Sequence, residues 1–454
     1  MAQTYLIKSS PTAGNRNKGT VSVWVKRSSL GSTQNIYTDF YSTDNFGGIR
    51  FNSGDNLGVF SYAGASAQLD INTTRVFRDV NSWYHIVVAW DTTDGTSTDR
   101  IKIYINGERE TSFTGSPTYP SSSQDLIFGI GGSYPIVIGR RGTDNNEYFD
   151  GSMSHFHRVD NQALAPTVFG STDSTTGEWK INTSPSITYT GSSDYNFFIL
   201  KDGNSVTDQS GQSNNLTVGY GTLTKTEDCP SNVFATMNPL NVPTSNPPTF
   251  SNGNTKTVTA GSSGRFGGTS TLGMSSGKFY VEAKATVAGN PRNCIGTTYE
   301  PSEQARNNGT QYSYADSISY NAETGDVVNS SGTIYSASTY TTGDIIQMAI
   351  DMDNDKLYFG KNGTWLNSGV PTSGSTGTGA VSLTADKTQF IIQSDNTSGS
   401  DQSTFEFNFG NGYFGTTAVA TNSGNGYAGA EGSSIFNYQP PTNYTALSTK
   451  GLNL

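Results

Sequence analysis

The stretch "DRIKIYINGE", Asp99 to Glu108, decides the fold of this 454-residue chain. Ile101, Ile103 and Ile105 fall at every second position, Lys102 and Tyr104 stand between them, and the run stops at Asn106-Gly107. Strict alternation is a strand with one buried face. Asn-Gly supplies two residues that tolerate positive φ, as a tight hairpin turn requires. Nearly the same phrase returns as "NDKLYFGKNGTW", Asn354 to Trp365, with Lys356-Leu357-Tyr358-Phe359 where Lys102-Ile103-Tyr104-Ile105 stood. In both places the preceding strand ends in aspartate: Asp91 after Val88-Ala89-Trp90, Asp351 after Met348-Ala349-Ile350. Each half therefore carries the same hairpin, expected at the centre of its sheet.

Working outward, "TVSVWVKRSS" alternates Val21, Val23 and Val25 against Ser22, Trp24 and Lys26, and "SWYHIVVAWD" puts Tyr84, Ile86, Val88 and Trp90 on one face. "GGIRFNSGDNLGVFSY" reads as two short strands around a Gly-Asp turn, "YPIVIGRRG" and "YFDGSMSHFHRV" as further strands, and "ALAPTVFG" as a single helical turn. In the second half "SSGKFYVEAKATV" sets Phe279, Val281, Ala283, Ala285 and Val287 against Tyr280, Glu282, Lys284 and Thr286, one face core and the other wet or lightly covered. "STFEFNFG" closes with Phe405, Phe407 and Phe409 on one side. Between the halves, Cys229 to Phe250 holds five prolines, a density that central strands exclude and extended linkers favour. The fold class expected is all-β: two tandem jelly-roll sandwiches joined by a Pro-rich linker. The expected boundaries are 1–228, linker 229–249, 250–438, and an extended tail 439–454 that reaches over a neighbour.

Composition agrees with short strands and many turns: 52 Gly, 24 Tyr, 23 Phe and 14% charged residues, against about 25% in an average domain. A net charge of −10 with no Lys/Arg cluster argues against nucleic acid. No run reaches the roughly 18 apolar residues of a membrane helix, and the first residues lack a secretory pattern. A soluble product made in the cytosol is expected. Cys229 and Cys294 stand far apart without metal or disulfide spacing, so both read as inert thiols.

On these residues the first half resembles the laminin G-like members of the concanavalin A-like lectin family over Met1 to Val218. The pieces that carry the resemblance are "TVSVWVKRSS", "WYHIVVAWD", "IKIYINGE" and "PIVIGRRG" leading to "YFDGSMSHFHRVDNQAL". The second half resembles a SPRY-type domain over Phe250 to Tyr438, through "SSGKFYVEAKA", "GDIIQMAIDMDNDKLYFGKNGTW" and "FEFNFGNGYFG". The join, "DQSGQSNNLTV" followed by "DCPSNVFATMNPL", is similar to the connection in large virion proteins of tailed bacteriophages. That resemblance implies a virion component, a tail fibre, tail-tip or capsid appendage that meets the host surface, made in the host cytoplasm and released by lysis.

Catalysis is not expected. Polysaccharide-cleaving sandwiches use carboxylates at alternate strand positions, and no such spacing occurs: Glu108 and Glu110 follow a turn, while Glu282 and Glu406 are isolated and read as solvated. "DMDND", Asp351 to Asp355, imitates a calcium loop but has Lys356 and Asn362 where Gly and a bidentate Glu belong. His155 and His157 share a strand face at a spacing two metal ligands use, yet His85 is the one other histidine in the chain and no cysteine is close in sequence, so no metal site is assigned. A Ser-His-Asp site around His85 or His157 is unattractive for the same scarcity.

Binding is the chemistry left. Sugars are held by aromatic rings under their apolar faces and by planar amides and carboxylates, with Ca²⁺ as a common bridge to hydroxyls; Ca²⁺ is left open here and no other cofactor is called for. The loops supply such groups at Tyr41, Asp44 and Asn45, at Asp144, Asn145 and Asn146, at Tyr299, Tyr312, Tyr314 and Asp316, and at Trp365. The reading that follows is a non-enzymatic virion appendage that binds host-surface polysaccharide. The alternatives are a capsid or tail decoration acting through other virion subunits and, third, a polysaccharide depolymerase. A homo-oligomer is left open; membrane insertion and nucleic acid are not expected.

Overall fold

A computed structural model describes residues 3–142, 146–201, 205–244, 247–259, 266–288, 293–301, 317–395, 402–419 and 426–454. The chain divides into two units, Met1–Lys225 and Thr226–Leu454.

In the first unit, a seven-stranded antiparallel sheet runs in the order Thr217–Tyr220, Tyr5–Lys8, Ile136–Ile138, Gln34–Ser42, Asn45–Phe51, Asn56–Ala63, Ser66–Val76. It faces a six-stranded sheet ordered Phe197–Ile199, Gly151–Asp160, Lys18–Arg27, Tyr84–Asp91, Ile101–Ile105, Glu108–Arg109. Between them lies one core that holds Val21, Val23, Val25, Ile86, Val88, Trp90 and the three isoleucines of the opening stretch from one sheet, and Ile49, Phe51, Leu57, Val59, Leu69 and Ile71 from the other. Burying each such side chain contributes roughly 1.5–3 kcal/mol, which is why the alternation of the sequence decides the layers. "ALAPTVFG" forms a short 3-10 turn, Pro166–Val168.

The second unit repeats the plan. Its larger sheet runs Thr249–Ser251, Lys256–Val258, Thr404–Asn408, Lys278–Val287, Ile345–Asp351, Lys356–Lys361, Thr364–Trp365. The opposing sheet runs Phe266–Thr269, Phe390–Asp395, Asn293–Thr298, Ser317–Asn321, Asp326–Asn329, Gly332–Ser336. Both hairpins sit in the same place. Val88 pairs with Ile103 and Met348 with Phe359, each hairpin flanked on one side by the long strand Lys18–Arg27 or Lys278–Val287. Neither is central as expected: the returning strand is followed by the two-residue edge strand Glu108–Arg109 or Thr364–Trp365, joined in the second unit by the equally short Val381–Ser382. A two-residue Asn-Gly turn leaves the next strand no choice but to pair at once, so the hairpin's own continuation forms the edge.

Three expectations fail in the second unit for one reason. The stretch 229–249 is no free linker, because Phe234, Ala235 and Met237 are buried and the Ala235 N–H donates to the Leu447 carbonyl at 2.9 Å. The tail 439–454 reaches over its own unit, with Thr445–Ala446 pairing in parallel beside Phe279–Tyr280. Consequently the face of Lys278–Val287 expected to be wet or lightly covered is closed by a packed layer: Phe234, Tyr280, Ala349, Tyr358, Phe436, Tyr444 and Ala446 form a second, smaller core. Strands buried on both faces lose the alternation signal, and Tyr280 and Tyr358 are the cases in point.

Candidate functional site

Three neighbouring strands of the first unit, Asn45–Phe51, Asn56–Ala63 and Ser66–Val76, send Ile49, Phe51, Leu57, Val59, Leu69 and Ile71 into the core. The side chains between them must face the other way. These are Phe46, Arg50, Phe60, Tyr62, Asp70 and Asn72, joined by Asn52 just past the first strand, and they form a connected strip. Arg50 Nε donates to Asn52 Oδ1 at 2.9 Å, Asn52 Nδ2 to Asn72 Oδ1 at 2.8 Å, and Asn72 Nδ2 to Asp70 Oδ1 at 2.9 Å. The Tyr62 hydroxyl closes on Asp70 Oδ2 at 2.6 Å. Burial and the Asp70 carboxylate push the Tyr62 phenol up to about 12, so it stays a donor at every physiological pH.

Rings line the strip. Phe46 stacks on Tyr62 with centroids 5.2 Å apart, Phe60 lies 5.3 Å from Phe46, and the Arg50 guanidinium sits 4.6 Å over the Phe60 ring. Gly58, paired with Arg50 on one side and Asn72 on the other, leaves the room the amides fill. A Cβ there would come 2.8 Å from Asn72 Oδ1 and 3.1 Å from Asn52 Nδ2. Phe60 itself is buried, 2% exposed, so the half-buried Phe46 and Tyr62 rings are what stands beside the fixed amides and the one carboxylate, a surface that can meet C–H faces and hydroxyl groups together.

The residues chosen from the loops fare differently. Tyr41 is 56% exposed and its ring lies 4.9 Å from Tyr134, an aromatic pair at the end of the same sheet. Asp44 and Asn45 serve the adjoining turns: the Asp44 carbonyl accepts from Ala65 N–H, and Asn45 Oδ1 from Gly64 N–H at 3.0 Å. Asn146 is exposed and its carbonyl accepts from Arg141 N–H at 3.3 Å. Tyr299 is half-buried with Lys387 Nζ 5.5 Å from its ring, while Trp365 packs against the small core of the second unit. Asp144, Asn145, Tyr312, Tyr314 and Asp316 lie outside the described residues. Sequence reasoning missed the strip itself, although the even positions of "GIRFNSGDNLGVFSY" hold Arg50, Asn52, Phe60 and Tyr62.

Two carboxylates expected in solvent are not there. Glu282 is fully buried, accepting from Asn437 and Tyr438 N–H at 2.8 and 2.7 Å, from Asn408 Nδ2 at 3.1 Å and from the Tyr280 hydroxyl at 3.1 Å. Glu110 is buried against Arg75 Nε at 2.5 Å. Glu406 pairs with Lys256 at 3.2 Å. In the calcium-like loop the Asp351 carboxylate is occupied by Lys278 Nζ at 2.5 Å and by both nitrogens of Asn354, so a polar hairpin turn is what the loop forms.

Each histidine ring is held by a neighbouring hydroxyl: His85 by Ser22, His155 by Ser154 and His157 by Tyr189. Trp179 Nε1–H donates to His85 Nδ1 at 2.9 Å, which leaves the His85 Nε2–H to donate to Ser22 Oγ at 2.9 Å. Burial drives His85 down to about 3 and His157, stacked 3.8 Å from Phe198, well below its usual range. A bulge places His155 at φ 49 between its neighbours. Among the described residues no group of three or more His, Cys, Asp or Glu side chains is arranged to hold a metal ion.

The comparisons with known proteins agree with the two-unit plan. Residues 2–167 match the concanavalin A-like lectin/glucanases superfamily and residues 278–390 match the SPRY domain. The chain therefore carries a concanavalin A-like domain followed by a SPRY domain. No curated protein matches the sequence. Among solved structures, the SPRY domain of human HERC1 is 17% identical, with 34% of this chain and 81% of that chain covered and a TM-score of 0.25. A heptameric SAP-like pentraxin from Limulus polyphemus is 18% identical, covering 49% and 91%, with a TM-score of 0.29. Domain 4 of a GH43 extracellular arabinanase from Geobacillus stearothermophilus, in complex with arabinotriose, is 17% identical, covering 31% and 58%, with a TM-score of 0.22.

Proposed function

We propose that this chain is a non-catalytic glycan-binding protein whose first unit holds sugar across the strip from Arg50 to Tyr62. The observation that carries the reading is the fixed chain of amides between Asn52 and Asp70 set beside stacked rings. The match of this half to a lectin superfamily supports it. Glycoside hydrolysis needs two carboxyl groups across the scissile bond, and the three strands of the strip contain one acid, Asp70.

In its finer form the proposal is a tailed-phage virion appendage that attaches to host-surface polysaccharide, with other virion subunits as its remaining partners. A decoration role through protein contacts has one feature in its favour: Thr217–Tyr220 is an edge strand with all four residues exposed, open to strand addition.

The test is retention of the purified chain on host cells and on an array of their surface polysaccharides. Retention that Asn72→Ala abolishes supports the strip; no retention removes the glycan reading in favour of decoration. Release of reducing ends would establish a depolymerase instead.

A further inference from the structure

The hydrogen bonds that link Arg50, Asn52, Asn72 and Asp70 run in one direction, from the guanidinium through two amides to the carboxylate. Its two ends differ in what is left over. Asp70 accepts one donor on each oxygen and keeps lone pairs for hydroxyl groups. Arg50 spends Nε on Asn52, and its terminal nitrogens take no hydrogen bond or ion pair among the described residues.

Most arginines of this unit have a carboxylate partner, while Arg100 and Arg158 donate to backbone carbonyls instead. Arg16, Arg75, Arg78, Arg109 and Arg141 each have a carboxylate oxygen within 4 Å, at 3.5, 2.5, 3.1, 2.5 and 3.4 Å. Arg50 has neither an ion pair nor a carbonyl on its terminal nitrogens among the described residues, and its guanidinium carbon sits 4.6 Å from the centroid of the Phe60 ring. A guanidinium so fixed matches the plane of a carboxylate with two parallel hydrogen bonds at little loss of side-chain freedom.

We infer that the strip selects an acidic sugar, a residue of the uronic or sialic type, with its carboxylate on Arg50 and its hydroxyl groups toward Asp70. The inference rests on the glycan reading above and names the class of sugar. Asp70 at the far end disfavours a second negative charge there, which orients the sugar along the strip.

The full chain tests this by affinity electrophoresis or calorimetry on alginate, polygalacturonate and polysialic acid, on the same polymers after carboxyl reduction, on dextran and on dextran sulfate. The expected result is binding to at least one acidic polymer that falls about tenfold or more on carboxyl reduction, weakens with added salt, and is lost in Arg50→Ala and Arg50→Gln but partly kept in Arg50→Lys. Unchanged circular dichroism of Arg50→Gln separates lost binding from lost folding. Equal binding of acidic and reduced polymers, unaltered by Arg50→Gln, overturns the carboxylate inference and leaves the glycan reading standing. Equally tight binding of dextran sulfate overturns it in favour of bare charge. Binding to none of the polymers overturns both.

Discussion

Glu282 accepts the backbone N–H of Tyr438 at 2.7 Å, tying the middle of a central strand to a segment 156 residues further along. Asn437 N–H joins at 2.8 Å on the other oxygen. This buried carboxyl is what anchors the C-terminal segment to a sheet face that alternation alone leaves bare.

Burial pushes the Glu282 carboxyl up to about 7, against four hydrogen bonds that hold it down. A carboxyl raised in the folded state binds its proton more tightly there than when unfolded. Its contribution to stability is therefore full below about 4.5 and lost as pH rises through about 7. Urea unfolding at pH 5 and pH 8 is expected to show this difference in the wild type and not in Glu282→Gln. The variant should also lose about 1–3 kcal/mol, because its amide NH2 replaces one oxygen and turns a donor toward one backbone N–H and one side-chain donor.

The two Asn-Gly turns act alike. Asn106 Oδ1 accepts from His85 N–H at 2.8 Å and Asn362 Oδ1 from Ile345 N–H at 2.9 Å, with φ of 48° and 50°. Replacing either by Ala should cost about 1–2 kcal/mol, from left-handed strain plus the lost bond. Replacement by Gly should cost less, since the strain is gone and only the bond is missing. Denaturant midpoints of the four variants decide it; equal losses for Ala and Gly would show that conformation contributes nothing.

His85 makes the first unit sensitive to acid. With its folded value near 3 against an ordinary 6.5, the unfolded chain takes up the proton first, and stability falls as pH drops below about 6.5. His85→Gln should lessen the fall in melting temperature between pH 6.5 and 4, leaving the share that the likewise depressed His157 contributes. Trp179→Phe removes the donor on Nδ1 and should cost about 1–2 kcal/mol at neutral pH.

Tyr62→Phe takes the hydroxyl from Asp70 Oδ2 without changing the ring stack on Phe46. Affinity for the bound glycan should fall about 5- to 10-fold while the melting temperature stays within about 2 °C. Gly58→Ala forces the Asn52 and Asn72 amides apart and should weaken binding at least as much, read by the same titration. A melting shift as large as the affinity loss would show that Tyr62 serves folding.

The strands were legible because side-chain alternation is a local property of extended backbone, and Asn106 and Asn362 mark their turns by a local tolerance of positive φ. The candidate site was legible only in part. Aromatic and amide residues were sought on loops, where Asp44 and Asn45 turn out to build turns, while Arg50, Asn52 and Asp70 stood on the outward positions of strands read for their core alone. Nothing local distinguishes an outward Asn that waits for a ligand from one that meets water.

By itself, then, the sequence determined two layered antiparallel units and the hairpin they share, since each depends on neighbours two or three residues apart. Only the tertiary structure decided that residues 229–249 and 439–454 close over the second unit, that Glu282 is buried under them, and that Arg50, Asn72 and Asp70 connect. Those outcomes depend on which distant segments come to lie side by side, and the pairing of one strand with another is set by the whole packed core.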